Sequence, residues 1–408
     1  MQATPPTCRL SSSLRTRSAE ESLAIVAPLA RSRGITRVVD TTWLDRIGIP
    51  VYASIRPDGM DGNIWVHAGK GFTHAEAKIG AYMEALEFSF GEPGRNAASW
   101  FMSTPQQVVA SFGDAIAFAD FAPLVGYRAQ ADDAIAVVRA QEIRRGLGEV
   151  QVPGELVFLP FRLPGVQLYG CNTNGLASGN TLAEATAHGL AEVMERHVHS
   201  FEQLDDRSVR VELSSAPPKV RALAEAIERA GMTPVLRHST NVFGMAYFSA
   251  YVLEPDEHHP VALARGHGFH PIREIAAVRA LAEAVQSRLT CIHGGREDLI
   301  DQHAVFESLG ERKTAAIRAR RERLLDARGL VAYADVPDFD THVASIDDAT
   351  RLMFDALGDA GLQHVARVVL TEPDYPFQVV KLVVPGAEFF NREAPRVGPR
   401  LLRHFQHA

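Results

Sequence analysis

The chain has 408 residues, of which 46% are apolar and 22% charged, the composition of a globular protein with an ample core. A net charge of −7 argues against a general nucleic-acid binder, whose surface would be basic. No apolar run approaches the roughly 20 residues that span a bilayer. Three widely spaced cysteines without Cys-x-x-Cys spacing indicate a reducing compartment and no zinc site, so we expect a cytoplasmic protein.

The N-terminal part predicts a tail, one helix and three strands. Residues 1–18 are rich in Ser, Thr and Arg, and we expect a flexible tail there rather than a transit peptide. A short amphipathic helix follows. The predicted elements are the helix Glu20–Arg33 and the strands Val38–Thr42, Ile49–Ile55 and Ile64–Ala68. The last strand leads into the glycine turn AGKGF, where Lys70 is a candidate phosphate contact.

The next segment predicts peripheral helices and short strands. We expect helices over Pro105–Asp120 and Asp132–Leu147, and strands over Gly154–Leu159 and Val166–Tyr169. A Gly/Asn/Ser-rich turn then leads into a long helix from Thr181. Thr181 and Glu184 have the Thr-x-x-Glu spacing of a capping box, in which each side chain binds a free backbone N–H.

Two helices of the chain repeat one pattern. Thr73–Glu87 reads THAEAKIGAYMEALE and Thr181–Glu195 reads TLAEATAHGLAEVME, so the Thr, the Ala-Glu-Ala and the Glu-x-x-Glu coincide without a gap. Each follows a glycine-rich turn. Residues three apart lie on the same surface of a helix. A single Glu-x-x-Glu is most often part of a surface that faces the solvent. The second copy favours a shared function over surface decoration.

A third helix, from about Pro271 to His293, continues the pattern after the turn ARGHGF. It carries Glu283 and Gln286 at the same spacing, with Arg279 on the same face. Carboxylate and amide oxygens suit hard divalent cations such as Mg²⁺, which commonly shares its ligand shell with substrate phosphates. The three helices therefore predict a site for one or two divalent cations.

The remaining elements complete a mixed fold. Strands are predicted over Met232–Ser239, Gly244–Val252, Val261–Gly268, Val365–Leu370 and Phe377–Val384, and helices over Glu307–Ala327 and Ile346–Ala360. Together they predict an α+β protein with mixed or antiparallel sheets. No linker divides the core, so we expect one domain over residues 19–400, with its core at about 60–390 and a tail at 401–408.

Several motifs are absent from the sequence. It lacks the P-loop pattern G-x-x-x-x-G-K-[ST], so a nucleotide would be held in another way. His188 and His199 could ligate a transition metal beside Glu192 and Glu195, as in carboxylate-bridged di-iron proteins. Those sites need Glu-x-x-His spacing, whereas these histidines lie four residues from the glutamates. This alternative is disfavoured.

The repeated motifs resemble the YcaO family. The resemblance rests on GKGFTHAEAKIGAYMEALE, NGLASGNTLAEATAHGLAEVMER, RALAEAVQSRLTCIHGGREDL, LDRIGIPVYASIRPDG and VVKLVVPGAE, and it covers roughly Thr41–Arg400. It implies the YcaO-type ATP-binding fold, in which glutamate pairs on helices hold Mg²⁺ ions that bridge the nucleotide phosphates. The expected cofactors are ATP and Mg²⁺.

The resemblance also implies individual site residues. The implied Mg²⁺ ligands are Glu84, Glu87, Glu192 and Glu195, and Arg196 and Arg288 would act on the phosphates. Asn180, Glu283 and Gln286 would line the nucleotide pocket, and we place Lys70 and Arg279 in the same cofactor-binding set. The chain departs from the family at Gly80 and Phe88, where Ser and Arg are usual. With these two residues, we expect the chain to lack one of the family's contacts near the nucleotide.

The activity that the resemblance implies is ATP-dependent modification of a peptide backbone amide. Members that form azolines commonly end in Pro-x-Pro-x-Pro, whereas this chain ends GPRLLRHFQHA. It resembles more closely the branch associated with a TfuA partner, for which thioamidation is the expected outcome. The expected partners are a peptide or protein substrate, a TfuA-like protein and a second copy of the chain, without nucleic acid or membrane. The alternatives are an azoline-forming cyclodehydratase and a non-catalytic accessory factor, for example for methylthiolation of a ribosomal protein.

Overall fold

The computed structural model describes residues 7–296, 310–392 and 394–407, and it divides into two compact units. The first unit comprises Met1–Gly59, Ile64–Leu86 and Arg207–Ala344; the second comprises Met60–Asn63, Glu87–Asp206 and Ser345–Ala408. Each unit is therefore assembled from segments that are distant in sequence. Among the described residues, no helix combines the length and the apolar character needed to cross a bilayer.

The regular elements are numbered in chain order. The helices are α1 (Ala19–Ala30), α2 (His74–Gly91), α3 (Pro105–Ser111), α4 (Leu182–Glu202), α5 (Pro218–Arg229), α6 (Arg273–His293), α7 (Glu311–Leu325), α8 (Ile346–Asp359) and α9 (Pro399–His407). The strands are β1 (Cys8–Arg9), β2 (Leu14–Arg15), β3 (Arg37–Asp40), β4 (Val51–Ile55), β5 (Val66–Lys70), β6 (Trp100–Ser103), β7 (Ile135–Glu142), β8 (Gly148–Pro153), β9 (Leu176–Gly179), β10 (Val209–Glu212), β11 (Thr233–His238), β12 (Ala246–Leu253), β13 (Leu263–His270), β14 (Val331–Ala332), β15 (Ala366–Val369) and β16 (Gln378–Val383).

The first unit contains two larger sheets. One has the order β3-β4-β5 and the other the order β13-β12-β11-β10-β14, in which neighbours are antiparallel except β10 and β14. Helix α6 packs on β12 and β13 with a face of small residues, including the fully buried Ala276, Ala280 and Ala284. Small side chains on this face let the helix lie close to the sheet. The position of α6 in the unit is thereby fixed.

The second unit is built on the sheet β6-β7-β15-β16-β9, with β8 paired to the other edge of β7. Helix α4 packs on β9 and β16, and α8 packs against α4. Apolar residues such as Leu190 and Met194 of α4 are fully buried. The sheet and α8 thus enclose the helix that carries the second acidic pair.

The prediction of a helix over Asp132–Leu147 was wrong. Residues Ile135–Glu142 instead form β7, which pairs with β6, β8 and β15. The β-branched run in Ile-Ala-Val-Val fits a pleated strand that is buried on both faces, and tertiary pairing overrides the helix-forming Ala, Gln and Glu beside it. The strand predicted over Gly154–Leu159 was also wrong, since a 3₁₀ turn occupies Gly154–Leu156. Helix α3 ends at Ser111, well before Asp120.

The expected tails contain regular structure where they are described. Strands β1 and β2 pair antiparallel, and the backbone N–H of Ser11 donates to Glu76 Oε1 at 3.2 Å. At the other end, α9 begins at Pro399, and the buried Glu388 carboxylate accepts hydrogen bonds from the backbone N–H groups of Gly398, Arg400 and Leu401. A carboxylate at a helix N-terminus satisfies free donors and complements the helix dipole. Both segments are therefore tied to their units.

Candidate functional site

The two aligned helices begin with the same hydrogen bonds. Thr73 Oγ1 accepts from Glu76 N and Thr181 Oγ1 accepts from Glu184 N, each at 3.2 Å. The glutamate carboxylates reach one residue further back than a capping box predicts, because they accept from Phe72 N at 2.9 Å and Asn180 N at 2.8 Å. The sequence repeat is thus a structural repeat.

Glycines set the approach of each preceding strand or turn to its helix. A Cβ on Gly71 would lie 2.5 Å from Glu76 Cβ, and a Cβ on Gly179 would lie 2.4 Å from Glu184 Cβ. In the third copy, a Cβ on Gly268 would lie 2.0 Å from the Ala276 carbonyl oxygen. Real Cβ atoms do not make such contacts, so only glycine permits this packing. The acidic or amide pairs are therefore carried on helices whose first turns are held tightly.

The first unit contains a cluster that we call the first cluster, made of Lys70, Glu84, Glu283 and Gln286. Lys70 Nζ lies 3.0 Å from Glu283 Oε2. Burial raises the pKa of Glu84 to about 7, against the lowering influence of Arg296 and Lys70. A carboxyl held at this pKa exchanges its proton for a cation near neutral pH.

Gln286 is oriented by the first unit's own backbone. Its side-chain Nε2 donates to the Ala68 carbonyl at 3.0 Å, which fixes which end of the amide is the acceptor. Within the described residues, no hydrogen bond reaches the buried Oε1. A buried acceptor without a donor is costly, so this oxygen is available to a ligand or ion. Sequence reasoning placed Gln286 in the pocket but gave no reason for this orientation.

The second unit contains the second cluster, made of Glu87, Glu192, Glu195, Ser178 and Lys381. Ser178 Oγ donates to Glu87 Oε1 at 2.5 Å, and Gly175 N donates to Glu192 Oε1 at 3.2 Å. Glu195 is only 2% exposed. Glu87 and Glu192 both act electrostatically on Lys381, so their side chains lie near the same lysine. As in the first cluster, the carboxylates offer oxygen atoms as ligands, and oxygen ligands suit Mg²⁺.

Lys381 is a member of the second cluster that sequence reasoning missed. It lies on β16, is 1% exposed, and donates from Nζ to the Asn172 carbonyl at 2.8 Å. Burial lowers its pKa to about 7, while the charges of Glu192 and Glu87 oppose the shift. The available signal was a single lysine within the apolar run VVKLVV, since lysine is almost never fully buried without a partner.

The family assignment follows from comparison with known proteins. Residues 68–388 match the family described as YcaO cyclodehydratase, ATP- and Mg²⁺-binding. The chain belongs to the YcaO family. The two clusters lie on helices that follow glycine turns, and the oxygen atoms of both fit Mg²⁺ by ligand type. The predictions of family, fold class and cofactors are confirmed.

Two sequence relatives and one solved structure of similar fold illustrate the similarity. An uncharacterized protein of Methanothermobacter thermautotrophicus is 33% identical over 90% of this chain and 93% of its own. An uncharacterized protein from the tfuA 3′ region of Rhizobium leguminosarum bv. trifolii is 30% identical over 90% of this chain and 87% of its own. The structure of YcaO from Methanopyrus kandleri bound with AMPPCP and Mg²⁺ has a TM-score of 0.74 and 21% identity, covering 97% of this chain and 99% of that one.

Other predicted residues of the YcaO domain have distinct surroundings. Asn180 Nδ2 donates to Glu184 Oε2 at 3.0 Å, so the cap orients the amide of Asn180. Arg196 directly follows Glu195 on α4 and is partly buried. Arg279 is partly buried on α6. Burial lowers the pKa of His270 to about 3, and the positive charge of Arg279 adds to this shift.

The structure gives Arg288 a role that differs from the predicted phosphate contact. Its guanidinium is 1% exposed, with Nε 2.7 Å from Asp45 Oδ2 and Nη2 2.8 Å from Glu254 Oε2. A third donor, Nη1, binds the Val261 carbonyl at 2.8 Å. Because buried carboxylates already neutralise this arginine, these contacts favour a structural role over the predicted phosphate contact, which stays a prediction. Sequence spacing gave no sign of the Asp45 partner.

Proposed function

We propose that this chain uses ATP and Mg²⁺ to activate a backbone amide of a peptide or protein, and that the product is a thioamide formed with a TfuA-type partner. The observation that most supports this function is the repeated placement of acidic or amide pairs on matched strand–helix units. In a YcaO protein, such pairs are suited to holding Mg²⁺ against nucleotide phosphates. The proposal treats each cluster as a source of metal or nucleotide ligands.

The residues divide into three roles in this proposal. Glu84, Glu87, Glu192 and Glu195 hold Mg²⁺. In the first unit the proposed nucleotide contacts are Arg279, Glu283, Gln286 and Lys70, where Gln286 Oε1 is an acceptor and Lys70 a donor. In the second unit the proposed nucleotide contact is Asn180. Arg196 offsets negative charge on the phosphoryl group as it is transferred. Preorganised charges of this kind act where charge develops in the transition state.

The reaction needs activation because the oxygen of an amide is a poor leaving group. When bound, ATP supplies the phosphoryl group that turns this oxygen into part of a good leaving group. Hydrosulfide adds to the amide carbon, the oxygen takes the phosphoryl group, and the carbon–oxygen bond breaks with release of phosphate. The net products are a thioamide, ADP and phosphate. The chain's own task is to hold the reactants in line and to balance charge.

One comparison favours thioamide formation over azoline formation. A relative that is 30% identical to this chain lies in a tfuA 3′ region. An external sulfide would take the place that a neighbouring Cys, Ser or Thr side chain takes in azoline formation. The partner and the sulfur source both belong to the proposal.

A second candidate is a non-catalytic accessory protein. Gly80 and Phe88 replace the Ser and Arg expected from the family, which would suit a site that has lost one nucleotide contact. In this case the chain would bind nucleotide but modify no peptide. Phe88 is 8% exposed, so its ring is part of the second unit's core rather than a surface replacement for a cation.

The decisive experiment co-expresses the chain with a TfuA-type protein and searches the host proteome by mass spectrometry. We expect a peptide in which one sulfur replaces one oxygen, and we expect it to vanish in Glu192→Gln. A peptide that has lost one water instead would support the azoline alternative. Calorimetry on the purified chain completes the test: ATP binding with Mg²⁺ but no modified peptide would favour the accessory role.

A further inference from the structure

A buried hydroxyl contacts one of the proposed metal ligands. Ser178 lies on β9, is 3% exposed, and donates from Oγ to Glu87 Oε1 at 2.5 Å. Hydrogen bonds from a hydroxyl to an ionised carboxylate are short and stronger than neutral ones. The strand backbone holds the donor, because Ser178 pairs with Val379 of β16. The hydroxyl therefore acts from a fixed position.

The repeat places Ser178 at a position with a related use. When Thr73 is aligned with Thr181, Ser178 aligns with Lys70, the last residue of β5. Lys70 contacts the Glu283 carboxylate at 3.0 Å. Ser178 and Lys70 therefore occupy the same position of the two repeats, and each contacts a glutamate on the helix of a different repeat: Glu87 on α2 and Glu283 on α6, respectively. The same backbone position supplies a cation in one unit and a neutral donor in the other.

We propose that Ser178 is a positioning residue that fixes the Glu87 carboxylate for Mg²⁺. This inference rests on the proposed function, in which Glu87 is a metal ligand. A glutamate has several rotatable bonds, and a ligand that must be ordered on binding loses affinity for the ion. The Ser178 hydroxyl takes one lone pair of Oε1 and holds the side chain, and because it is neutral it adds no positive charge beside the ligand. A lysine here would instead neutralise the ligand.

The test compares two serines that both contact α2. Ser178→Ala removes the hydroxyl from Glu87, whereas the control Ser54→Ala removes a fully buried hydroxyl that donates to the Ala81 carbonyl at 2.7 Å. Both changes delete one oxygen atom, but only the first alters a carboxylate. Binding of Mn²⁺ by the ATP-loaded chain, followed by electron paramagnetic resonance, reports metal affinity without requiring turnover. Circular dichroism confirms that each variant is folded.

We expect Ser178→Ala to weaken Mn²⁺ binding by about 10- to 100-fold, the usual effect of losing a residue that orients a metal ligand. Ser54→Ala should stay within about twofold of wild type, and Ser178→Cys, a weaker donor, should fall between. Turnover by Ser178→Ala should recover at high Mg²⁺, because a positioning defect raises the metal requirement rather than lowering kcat.

Two results would overturn the inference and can be told apart. If Ser178→Ala binds Mn²⁺ as wild type does while Glu87→Gln has lost it, Ser178 does not position the ligand, and the proposed function stands. If Glu87→Gln also binds as wild type does, Glu87 is no metal ligand, and the metal assignment in the proposed function fails with the inference.

Discussion

The repeats β5–α2 and β9–α4 have the same scaffold but different chemistry. Their caps, glycine contacts and glutamate spacing coincide. At one strand–helix contact, however, the glycine and the alanine have exchanged places between the strand and the helix. In the first repeat, Gly69 of the strand faces Ala81 of the helix; in the second, Ala177 faces Gly189. One methyl group is kept at the contact in each case, on opposite sides. Packing volume is therefore conserved while the residues are not.

The charged residues around the two repeats differ more than the packing does. The first cluster includes the partly exposed Lys70 beside Glu283. In the second cluster the neutral Ser178 occupies the corresponding strand position, and the amine is that of the buried Lys381 on another strand, whose pKa burial lowers to about 7. Charges on buried groups are screened less by solvent than charges on partly exposed groups such as Lys70. We therefore expect the two clusters to respond differently to substitution and to pH.

The largest expected effect comes from the second cluster. Under the proposed function, Glu192→Gln or Glu195→Gln removes a metal ligand and should lower ATP turnover by at least about 100-fold, since losing a ligand costs no less than losing the residues that orient it. Turnover is measured as ADP release in the presence of the partner. Glu149→Gln, at an exposed position of β8, is the matched control and should be neutral. Unchanged turnover in both cluster variants would remove the catalytic role from the second repeat.

A second prediction separates structural from catalytic arginines. Arg288→Met leaves Asp45 and Glu254 buried without this partner and should lower the free energy of unfolding by about 3–5 kcal/mol. Arg318→Met removes an exposed pair with Glu257 and should cost under about 1 kcal/mol. Urea denaturation measures both. A stable Arg288→Met protein that has lost ATP turnover would return Arg288 to the phosphate site.

The exchanged glycines allow a direct test of the packing comparison. Gly69→Ala places a Cβ 2.0 Å from the backbone nitrogen of Ala81, and should cost about 3 kcal/mol in unfolding free energy. Gly189→Ala meets its nearest atom at 3.1 Å and should cost about 1 kcal/mol, partly recovered by adding Ala177→Gly. Thermal denaturation reports both changes.

The control for that comparison lies in helix α2, which Gly69 faces. A Cβ on Gly80 would be 3.4 Å from its nearest atom, an ordinary contact, so Gly80→Ala should stabilise by about 0.5–1 kcal/mol through helix propensity. Equal changes in unfolding free energy for alanine at Gly69, Gly80 and Gly189 would contradict the prediction, because they would show that the distance to the nearest atom does not set the cost.

The last prediction concerns the pH dependence of stability in the first cluster. Because the pKa of Glu84 is raised from 4.5 to about 7 in the folded state, its stabilising contribution is complete below pH 4.5 and is lost as pH rises to 7. The metal-free protein should lose roughly 1–3 kcal/mol across this window relative to Glu84→Gln. Mg²⁺ affinity should rise over the same range as the proton leaves. A pH-independent difference between the two proteins would contradict the assignment.

How much of the site could be predicted depended on the range of each interaction. The Thr and Glu caps and the carboxylate pairs are local in sequence, so the amino-acid sequence alone reveals their alignment. Lys381 and the Asp45 partner of Arg288 escaped prediction, because each contact joins segments more than 200 residues apart. Strand β7 was missed for the same reason, since its partner strands decide its conformation.

The glycine contacts also determine which substitutions the chain can tolerate. Gly71, Gly179 and Gly268 carry no reactive group, yet any side chain there would push a helix and its ligands outward. In a saturation mutagenesis screen, these positions should be as depleted as Glu192 when activity is selected. They should also be depleted when only protein abundance is selected, whereas Glu192 should not. Measuring activity and protein abundance in the same screen would then distinguish a glycine needed for packing from a glutamate needed for activity.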